Sequence, residues 1–295
     1  MPRVLINSEA TSFGTASSIL LGMAYQYEVR DFPGPLSVKT VARGRARWKT
    51  EDGEFWVDER SFLVLNDQEP YSITVDSTEK VETCCLFFQT GLLEAVFRAL
   101  TSAPDRLLDE PVQAHSLLHF VPQLQWSDER IFPRMKEIGG RIRSGAATQG
   151  WLEEQVLLAA RDVVALDEGT RRQIAGVPAS RQPTREEIYK RLCRARDYIY
   201  TYRDQPMHLE DVSRAACLSP YHLHRLFKQT FHETPHEFLT RIRLEQARDL
   251  LVSSELPVTQ ICLGAGFESL GSFSTLFRRI FGLSPREFRR RSSGS

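Results

Sequence analysis

The spacing of apolar residues changes near position 90, and this change divides the chain into a β-rich part and an α-rich part. Residues 38–48 alternate with a period of two, and the turn signal at 51–53 separates them from a second strand pattern at 54–57. Further apolar runs of strand length follow at 62–65, 72–75 and 81–88. Several short strands at this spacing predict a small barrel or sandwich within residues 1–90.

Residues 91–168 show apolar positions at every third or fourth residue, which predicts helices. These helices either cover the barrel or form a dimer interface. Residues 169–183 are rich in Gly, Pro and Ser and lack a strong period, so we expect a linker there. Thr184 and Glu187 have the spacing of a capping box, which predicts the start of the next helix.

The C-terminal part contains an internal repeat. The segment at 212–218 matches 261–267 at an offset of 49, and 223–238 matches 273–288 at an offset of 50. The second copy therefore carries one extra residue in its turn. Each copy predicts two helices joined by a short turn, and a longer helix joins the copies. The predicted bounds are about 209–231 for the first unit, 235–253 for the connecting helix and 258–281 for the second unit.

The second helix of each unit carries the side chains that suit contact with DNA. In a helix-turn-helix this helix enters the major groove, where Arg can bind guanine and an aromatic ring can contact a thymine methyl group. The candidate residues of the first helix are Ser219, Tyr221, His222, His224, Arg225 and Lys228. Those of the second are Ser269, Leu270, Gly271, Ser272, Thr275, Arg278 and Arg279. A single such unit would fit a helical bundle equally well, but two copies favour DNA binding.

The distribution of charge agrees with a DNA contact at one end of the chain. The net charge is zero, but residues 181–295 contain 19 Lys and Arg against 13 Asp and Glu, a balance of +6. The first 180 residues have 19 and 25, a balance of −6. Such an asymmetry is typical of a nucleic-acid contact confined to one region, although a solvated surface can also be uneven by chance.

The remaining composition limits the classes of function. The five cysteines lack metal-ligand spacing and are typical of buried thiols in a reducing compartment, and the vicinal pair Cys84-Cys85 leaves a redox role open. No run of 18 apolar residues and no signal-peptide pattern is found, so we expect a cytoplasmic protein without a membrane contact.

A face of small residues in the N-terminal part is a candidate effector pocket. The candidate residues are the small residues Ala42, Gly44 and Ala46 and the aromatic residues Trp48, Trp56 and Tyr71. Small residues beside aromatic ones leave room for a ligand, but they also allow another strand or helix to approach closely. Both interpretations stay open.

Ordered motifs within residues 185–291 resemble the DNA-binding domain of the AraC/XylS family of bacterial transcription regulators. They are Arg243–Arg248 with Leu250-Leu251, Val258–Ile261 with Gly266-Phe267, and Phe273-Ser274 with Phe277–Pro285 and Phe288-Arg289. The resemblance implies an all-α domain at 184–291 with seven helices and two helix-turn-helix units. It also implies a preceding sensor, often a cupin-like barrel, followed by dimerising helices. The expected fold class is therefore an α+β multidomain chain.

The N-terminal pattern resembles a cupin-type sensor. The residues that carry this resemblance are Gly44–Ala46, Asp52-Gly53, Phe62–Leu65 and Glu69–Tyr71. Metal-dependent cupins hold their metal through histidines, but this chain has no His before His115, and Tyr71 stands where many relatives have His. We therefore expect no metal, no cofactor and no enzymatic activity.

The resemblance implies a sequence-specific regulator of transcription that is nucleoid-associated, homodimeric and bound to double-stranded DNA and RNA polymerase. Base contacts would come from Tyr221, His224 and Arg225. Thr275 stands where an Arg is common, so the specificity is expected to depend mainly on the first recognition helix. A small-molecule effector is expected to control the protein. The alternatives are control by a protein partner and a cupin-type enzyme with an appended helical domain.

Overall fold

The computed structural model describes residues 1–7, 13–101, 118–126 and 128–292. The chain divides into two units, Met1–Arg172 and Gln173–Ser295. All described strands lie in the first unit, and the described part of the second is helical. The predicted α+β fold class is therefore confirmed. Within the predicted helical segment at 91–168, residues 102–117 and 127 lie outside the described residues, and residues 124–126 form a strand, so the prediction of helix is wrong there.

The first unit is organised around one sheet of eight strands. They are β1 (Arg3–Ile6), β2 (Ser18–Pro33), β3 (Ser37–Arg43), β4 (Arg45–Thr50), β5 (Gly53–Asp58), β6 (Ser61–Leu65), β7 (Pro70–Phe87) and β8 (Leu124–Trp126). The strand order is β1-β2-β7-β3-β6-β8, and β4 pairs with both β5 and β7. β7 pairs with β2 along one edge and with β3 and β4 along the other.

The two faces of this sheet have different neighbours, because successive side chains of a strand point in opposite directions. Ile19, Leu86 and Val38 lie side by side on β2, β7 and β3 and pack in the core with the helices that follow the sheet. These helices are α1 (Leu92–Thr101), α2 (Ile131–Arg143) and α3 (Gln149–Ala175). The next row, Leu20, Cys85 and Lys39, therefore faces the other side.

The predicted linker at 169–183 differs from the structure. Helix α3 continues to Ala175, and helix α4 spans Gln182–Thr201, so only residues 176–181 connect them. The Tyr189 hydroxyl is 2.6 Å from Gln173 Oε1 and joins the two helices. Pro183, which suggested a linker, instead occupies the first turn of α4, where its missing N–H costs nothing. The predicted capping box at 184–187 is therefore wrong.

The remaining helices of the second unit form two copies of one motif. They are α5 (Leu209–Ala215), α6 (Pro220–Phe231), α7 (Pro235–Ser253), α8 (Val258–Gly264), α9 (Leu270–Phe281) and α10 (Pro285–Ser292). With α4 they make seven described helices. Helix α7 belongs to both copies: the ring centres of Phe238 and Phe227 are 5.9 Å apart, and Leu244 and Leu251 pack with Phe273 in the second core.

The repeat uses the same backbone devices in both copies. Ser219 and Ser269 cap α6 and α9, and each accepts a hydrogen bond from the backbone N–H three residues later. The helices that follow are capped by the pairs Thr234–Glu237 and Ser284–Glu287. The hydrogen bonds from these capping residues lower the pKa of both glutamates.

The turn between the helices is closed by a residue in the left-handed region. It is Cys217 in the first copy, with φ of 51°, and Gly266 in the second, with φ of 80°. One residue separates Cys217 from the next cap, but two separate Gly266 from Ser269, which locates the extra residue. At Gly266 an added Cβ would lie 2.8 Å from Nε of Arg243, which donates hydrogen bonds to the carbonyl oxygens of residues 203 and 205.

We expect Gly266→Ala to lower the free energy of unfolding of the second unit by about 1–2 kcal/mol, because alanine is strained at positive φ and would displace Arg243. Urea unfolding of the full chain would be followed by far-ultraviolet circular dichroism and by tryptophan fluorescence. All four tryptophans lie in the first unit, so only the helical signal should shift. Gly264→Ala is the control, since nothing lies within 4 Å of its Cβ position. An equal effect of both variants would contradict the prediction.

Candidate functional site

Helix α6 exposes every residue that the sequence assigned to DNA contact. Leu223, Leu226 and Phe227 are buried on the opposite side of the helix, which explains why the polar side is presented to solvent. Tyr221 has 74% of its surface exposed and precedes the exposed His224 and Arg225 within the first two turns. The six exposed residues are Ser219, Tyr221, His222, His224, Arg225 and Lys228.

Helix α9 has the same arrangement with shorter side chains. Phe273 and Phe277 are buried, and the seven predicted residues are exposed: Ser269, Leu270, Gly271, Ser272, Thr275, Arg278 and Arg279. The Ser269 hydroxyl lies 3.0 Å from the Ser272 hydroxyl and also caps the helix. The first two turns of α9 thus offer small hydroxyl groups and Leu270, while its two cations lie in the last turn.

The arginines of the second unit fall into two groups. Arg241 binds Glu233 and Glu245, and Arg243 binds backbone carbonyls, so both are used inside the fold. Within the described ranges, Arg225 on α6 and Arg279 on α9 have no hydrogen-bond or ion-pair partner and are exposed. Their guanidinium groups can therefore bind an external acceptor such as a phosphate or a guanine edge.

Helix α7 sets the separation of the two recognition helices. It has 19 residues, and at about 1.5 Å per residue it is about 28 Å long. Its first half packs against the first copy of the helix-turn-helix and its second half against the second copy. The helix therefore joins the two copies and holds α6 and α9 apart.

Comparisons with known proteins agree with this geometry. Residues 212–291 match the family described as a helix-turn-helix domain. The transcriptional activator RhaS of Escherichia fergusonii is 48% identical over 80 residues, which cover 27% of this chain and 29% of that protein. The transcriptional regulator ArgR of Pseudomonas aeruginosa is 33% identical over 91 residues, covering 31% of this chain and 28% of that protein.

A solved structure from Chromobacterium violaceum carries the family name in its description, a transcriptional regulator with an AraC-type DNA-binding domain. It is 31% identical and covers 35% of this chain and 91% of that one, with a TM-score of 0.33. The C-terminal domain is of the AraC/XylS type. The matches to RhaS and ArgR span less than a third of those proteins, so they describe the AraC/XylS-type domain alone.

The first unit contains a cavity of about 610 Å³ on the sheet face opposite to the helices. Trp48 and Tyr71 line it, as the sequence predicted for an effector pocket. The other four predicted pocket residues, Ala42, Gly44, Ala46 and Trp56, are not among its lining residues.

The predicted small residues do not line the cavity, because the alternation of side chains between the two faces of the strand is interrupted. Gly44 has φ of 82° and contacts Val81, and it separates β3 from β4, so Ala42 before it is exposed while Ala46 after it is buried. Trp56 pairs with Arg47 across β4 and β5. The guanidinium groups of Arg45 and Arg47 lie 4.8 Å and 5.9 Å from its ring centre, so its ring lies against these cations, apart from Trp48 on the alternate face.

A buried lysine, Lys39, is the cavity residue that the sequence interpretation missed. It is 1% exposed, and its Nζ donates a hydrogen bond of 2.7 Å to the Tyr71 hydroxyl and lies 3.7 Å from the centre of the Phe87 ring. Burial lowers the pKa of Lys39 to about 7, and the neighbouring Cys85 thiolate would raise it. The sequence signal for burial of Lys39 was its position between Val38 and Val41, in a strand flanked by other strands.

The vicinal cysteines lie on opposite faces of the sheet, because successive side chains of a strand alternate. Cys85 lines the cavity beside Lys39, and burial raises its pKa although the lysine charge opposes this. Cys84 faces α2, where its Sγ is 3.8 Å from the carbonyl oxygen of Met135, and burial raises its pKa to about 12. Both are free thiols.

No described helix combines the length and apolar character needed to cross a membrane. Among the described residues, no group of three or more His, Cys, Asp and Glu side chains is placed to hold a metal ion.

We expect Lys39→Met to change how the stability of the first unit depends on pH. The unfolded state keeps the lysine protonated to about pH 10.5, whereas the folded state releases the proton near pH 7, so the unfolded state binds more protons in between. Wild-type stability should therefore gain up to about 1.4 kcal/mol per pH unit from this group as the pH rises through that window.

Tryptophan fluorescence during urea unfolding at several pH values would measure this effect. Lys39→Met should lack the gain, while the exposed Lys49→Met should keep it. Parallel pH profiles for wild type and Lys39→Met would contradict the assignment.

Proposed function

We propose that the protein is a DNA-binding regulator of transcription that contacts two successive major-groove segments of double-stranded DNA. The observation that carries this proposal is the repeated helix-turn-helix frame, in which α6 and α9 are capped alike and expose all of their candidate contact residues. Its relatives RhaS and ArgR are described as transcriptional regulators, which agrees with it. An enzymatic role has no comparable support in the second unit.

The two recognition helices have different chemical roles in this proposal. Helix α6 offers Tyr221, His224 and Arg225, which are long enough to reach base edges. Helix α9 offers mostly short side chains at its start, and its cations Arg278 and Arg279 suit phosphate contacts. Sequence preference should therefore depend mainly on the half-site bound by α6.

The cavity of the first unit supplies an effector site in this scheme. Its volume of about 610 Å³ lies within the usual range for small-molecule sites, about 300–1,000 Å³, and its walls are mostly apolar with a few polar groups. We propose that a small molecule bound there controls the activity of the protein. Contact with RNA polymerase is part of the same proposal.

We expect Arg225→Ala to weaken binding at the preferred DNA site by about 1–3 kcal/mol and to relax the base preference at one position. Arg279→Ala should weaken binding to preferred and unrelated sequences alike, with a shallower dependence on salt, because a phosphate contact carries no base information. Selection of binding sites from random duplexes, followed by titration of wild type and both variants, measures these effects.

The control for this experiment is Arg43→Ala, which removes one exposed positive charge from the first unit. It should leave DNA affinity near the wild-type value. If Arg225→Ala and Arg279→Ala change affinity and base preference in the same way, the division of roles between α6 and α9 is wrong. If the wild-type chain selects no sequence, the proposed function is wrong.

We also propose a homodimer that forms through the helices of the first unit. Helix α3 presents Leu157, which is 53% exposed outside the core that the helix shares with the sheet. Sedimentation equilibrium at micromolar concentration should give twice the chain mass of 33.8 kDa, and Leu157→Glu should shift the equilibrium toward monomer. A monomeric wild-type protein would rule the dimer out.

A further inference from the structure

We infer that the cavity of the first unit takes a small monocarboxylate with an apolar body, whose carboxylate pairs with the Lys39 ammonium and the Tyr71 hydroxyl. This inference rests on the proposed function in that the effector site is the same cavity. It adds the chemical class of the effector and the residues that select it.

The walls of the cavity define the body of the ligand. They are formed largely by aliphatic and aromatic side chains from the sheet: Leu20, Val29, Phe32, Trp48, Ile73, Val75, Val81 and Phe87. Burial of apolar ligand surface against such walls favours binding. A ligand that is polar along its whole length would lose its hydration without replacement hydrogen bonds.

Lys39 is a basic side chain among these mostly apolar walls. It lies at the centre of the sheet, between the partner strands β6 and β7, and its Nζ is surrounded by the Tyr71 hydroxyl at 2.7 Å and the rings of Phe87 and Tyr71 at 3.7 Å and 4.4 Å. No carboxylate of the described residues pairs with it. Glu28, which also lines the cavity, is exposed and binds Arg30 at 3.0 Å.

A buried ammonium group without a counter-charge is unfavourable, and an anionic ligand would remove this penalty. Ring faces stabilise a cation only partly and do not replace a counter-charge. A carboxylate has the right charge and accepts two hydrogen bonds at adjacent oxygens. A neutral ligand of the same shape would leave the lysine unpaired, so the site selects the charge.

Tyr71 completes the carboxylate site. It accepts a hydrogen bond from Lys39, which leaves its own O–H free to donate to a second acceptor. Burial raises the pKa of Tyr71, so the proton needed for this donation is retained at neutral pH. Two donors on β3 and β7 then converge on one position in the cavity.

Binding should also depend on pH in a defined direction. The titratable side chains that share the cavity with Lys39 are Tyr27 and Glu28 on β2 and Tyr71 and Cys85 on β7. With the pKa of Lys39 lowered to about 7 by burial, a carboxylate that binds the ammonium form raises that pKa and takes up a proton. Carboxylate affinity should therefore fall as the pH rises above about 7, and the affinity of a neutral analogue should not.

The test is calorimetric titration of the full chain with matched ligand pairs, octanoate against octanol and phenylbutanoate against phenylbutanol. At least one carboxylate should bind about tenfold or more tightly than its alcohol below pH 7, and less so at higher pH. Lys39→Met should abolish the preference while retaining alcohol binding, which shows that its cavity is intact. Tyr71→Phe should weaken carboxylate binding, and Lys49→Met should leave it unchanged.

Three results would overturn the inference. They are equal binding of acid and alcohol, a preference that survives in Lys39→Met, and no binding of either carboxylate at millimolar concentration. Should Lys39→Met fail to fold, the pH dependence of wild-type binding decides alone. DNA-site selection is measured without these ligands, so failure of the carboxylate test leaves the proposed DNA binding standing, and failure of DNA selection leaves the cavity result interpretable.

Discussion

Strand β7 constrains the first unit because it pairs along both edges and buries both faces over residues 83–87. It pairs with β2 on one edge and with β3 and β4 on the other. A shift of register by one residue would exchange its faces and turn Cys84 and Leu86 away from the helices. The apolar packing against α2 and α3 therefore fixes which residues form the cavity. The position of Lys39 beside Cys85 follows from this pairing, since their strands cannot slide independently.

Much of the second unit could be predicted from the sequence, because its signals are local. Serine and threonine caps, prolines in first turns and a repeated apolar spacing act within a few residues, and the structure places helices at the same positions. The linker could not be predicted in this way, because the hydrogen bond between Tyr189 and Gln173 joins residues of two helices. Only two of the six predicted pocket residues line the cavity, for a similar reason. Period-two alternation identified Trp48 but failed for Ala42, Gly44 and Ala46, because the chain bends at Gly44, and it gave no reason to place a lysine inside.

The repeated unit separates the residues that make the fold from those that make contacts. Phe227 and Phe277 occupy equivalent core positions, and the caps at Ser219 and Ser269 are the same, while the exposed residues between them differ in length and charge. Substitutions on the exposed faces of α6 and α9 therefore touch few core contacts and should cost little stability. The stability of each unit comes from its core and caps, so DNA preference can change without a change of fold. Arg225 and Thr275 occupy equivalent positions of the two copies. They differ in surface chemistry, while the fold around them is the same.

Helix α7 also determines how α6 and α9 are rotated relative to each other. Each residue of an α-helix advances the chain by about 1.5 Å but also turns it by about 100° around the axis. Because α7 contributes to the cores of both copies, its 19 residues set the angular phase between α6 and α9. Insertion of a single residue would change their distance only slightly but would point one recognition helix away from the DNA face met by the other. In the proposed mode of DNA binding, the length of α7 would therefore set the spacing and the rotation of the two groove segments that α6 and α9 contact.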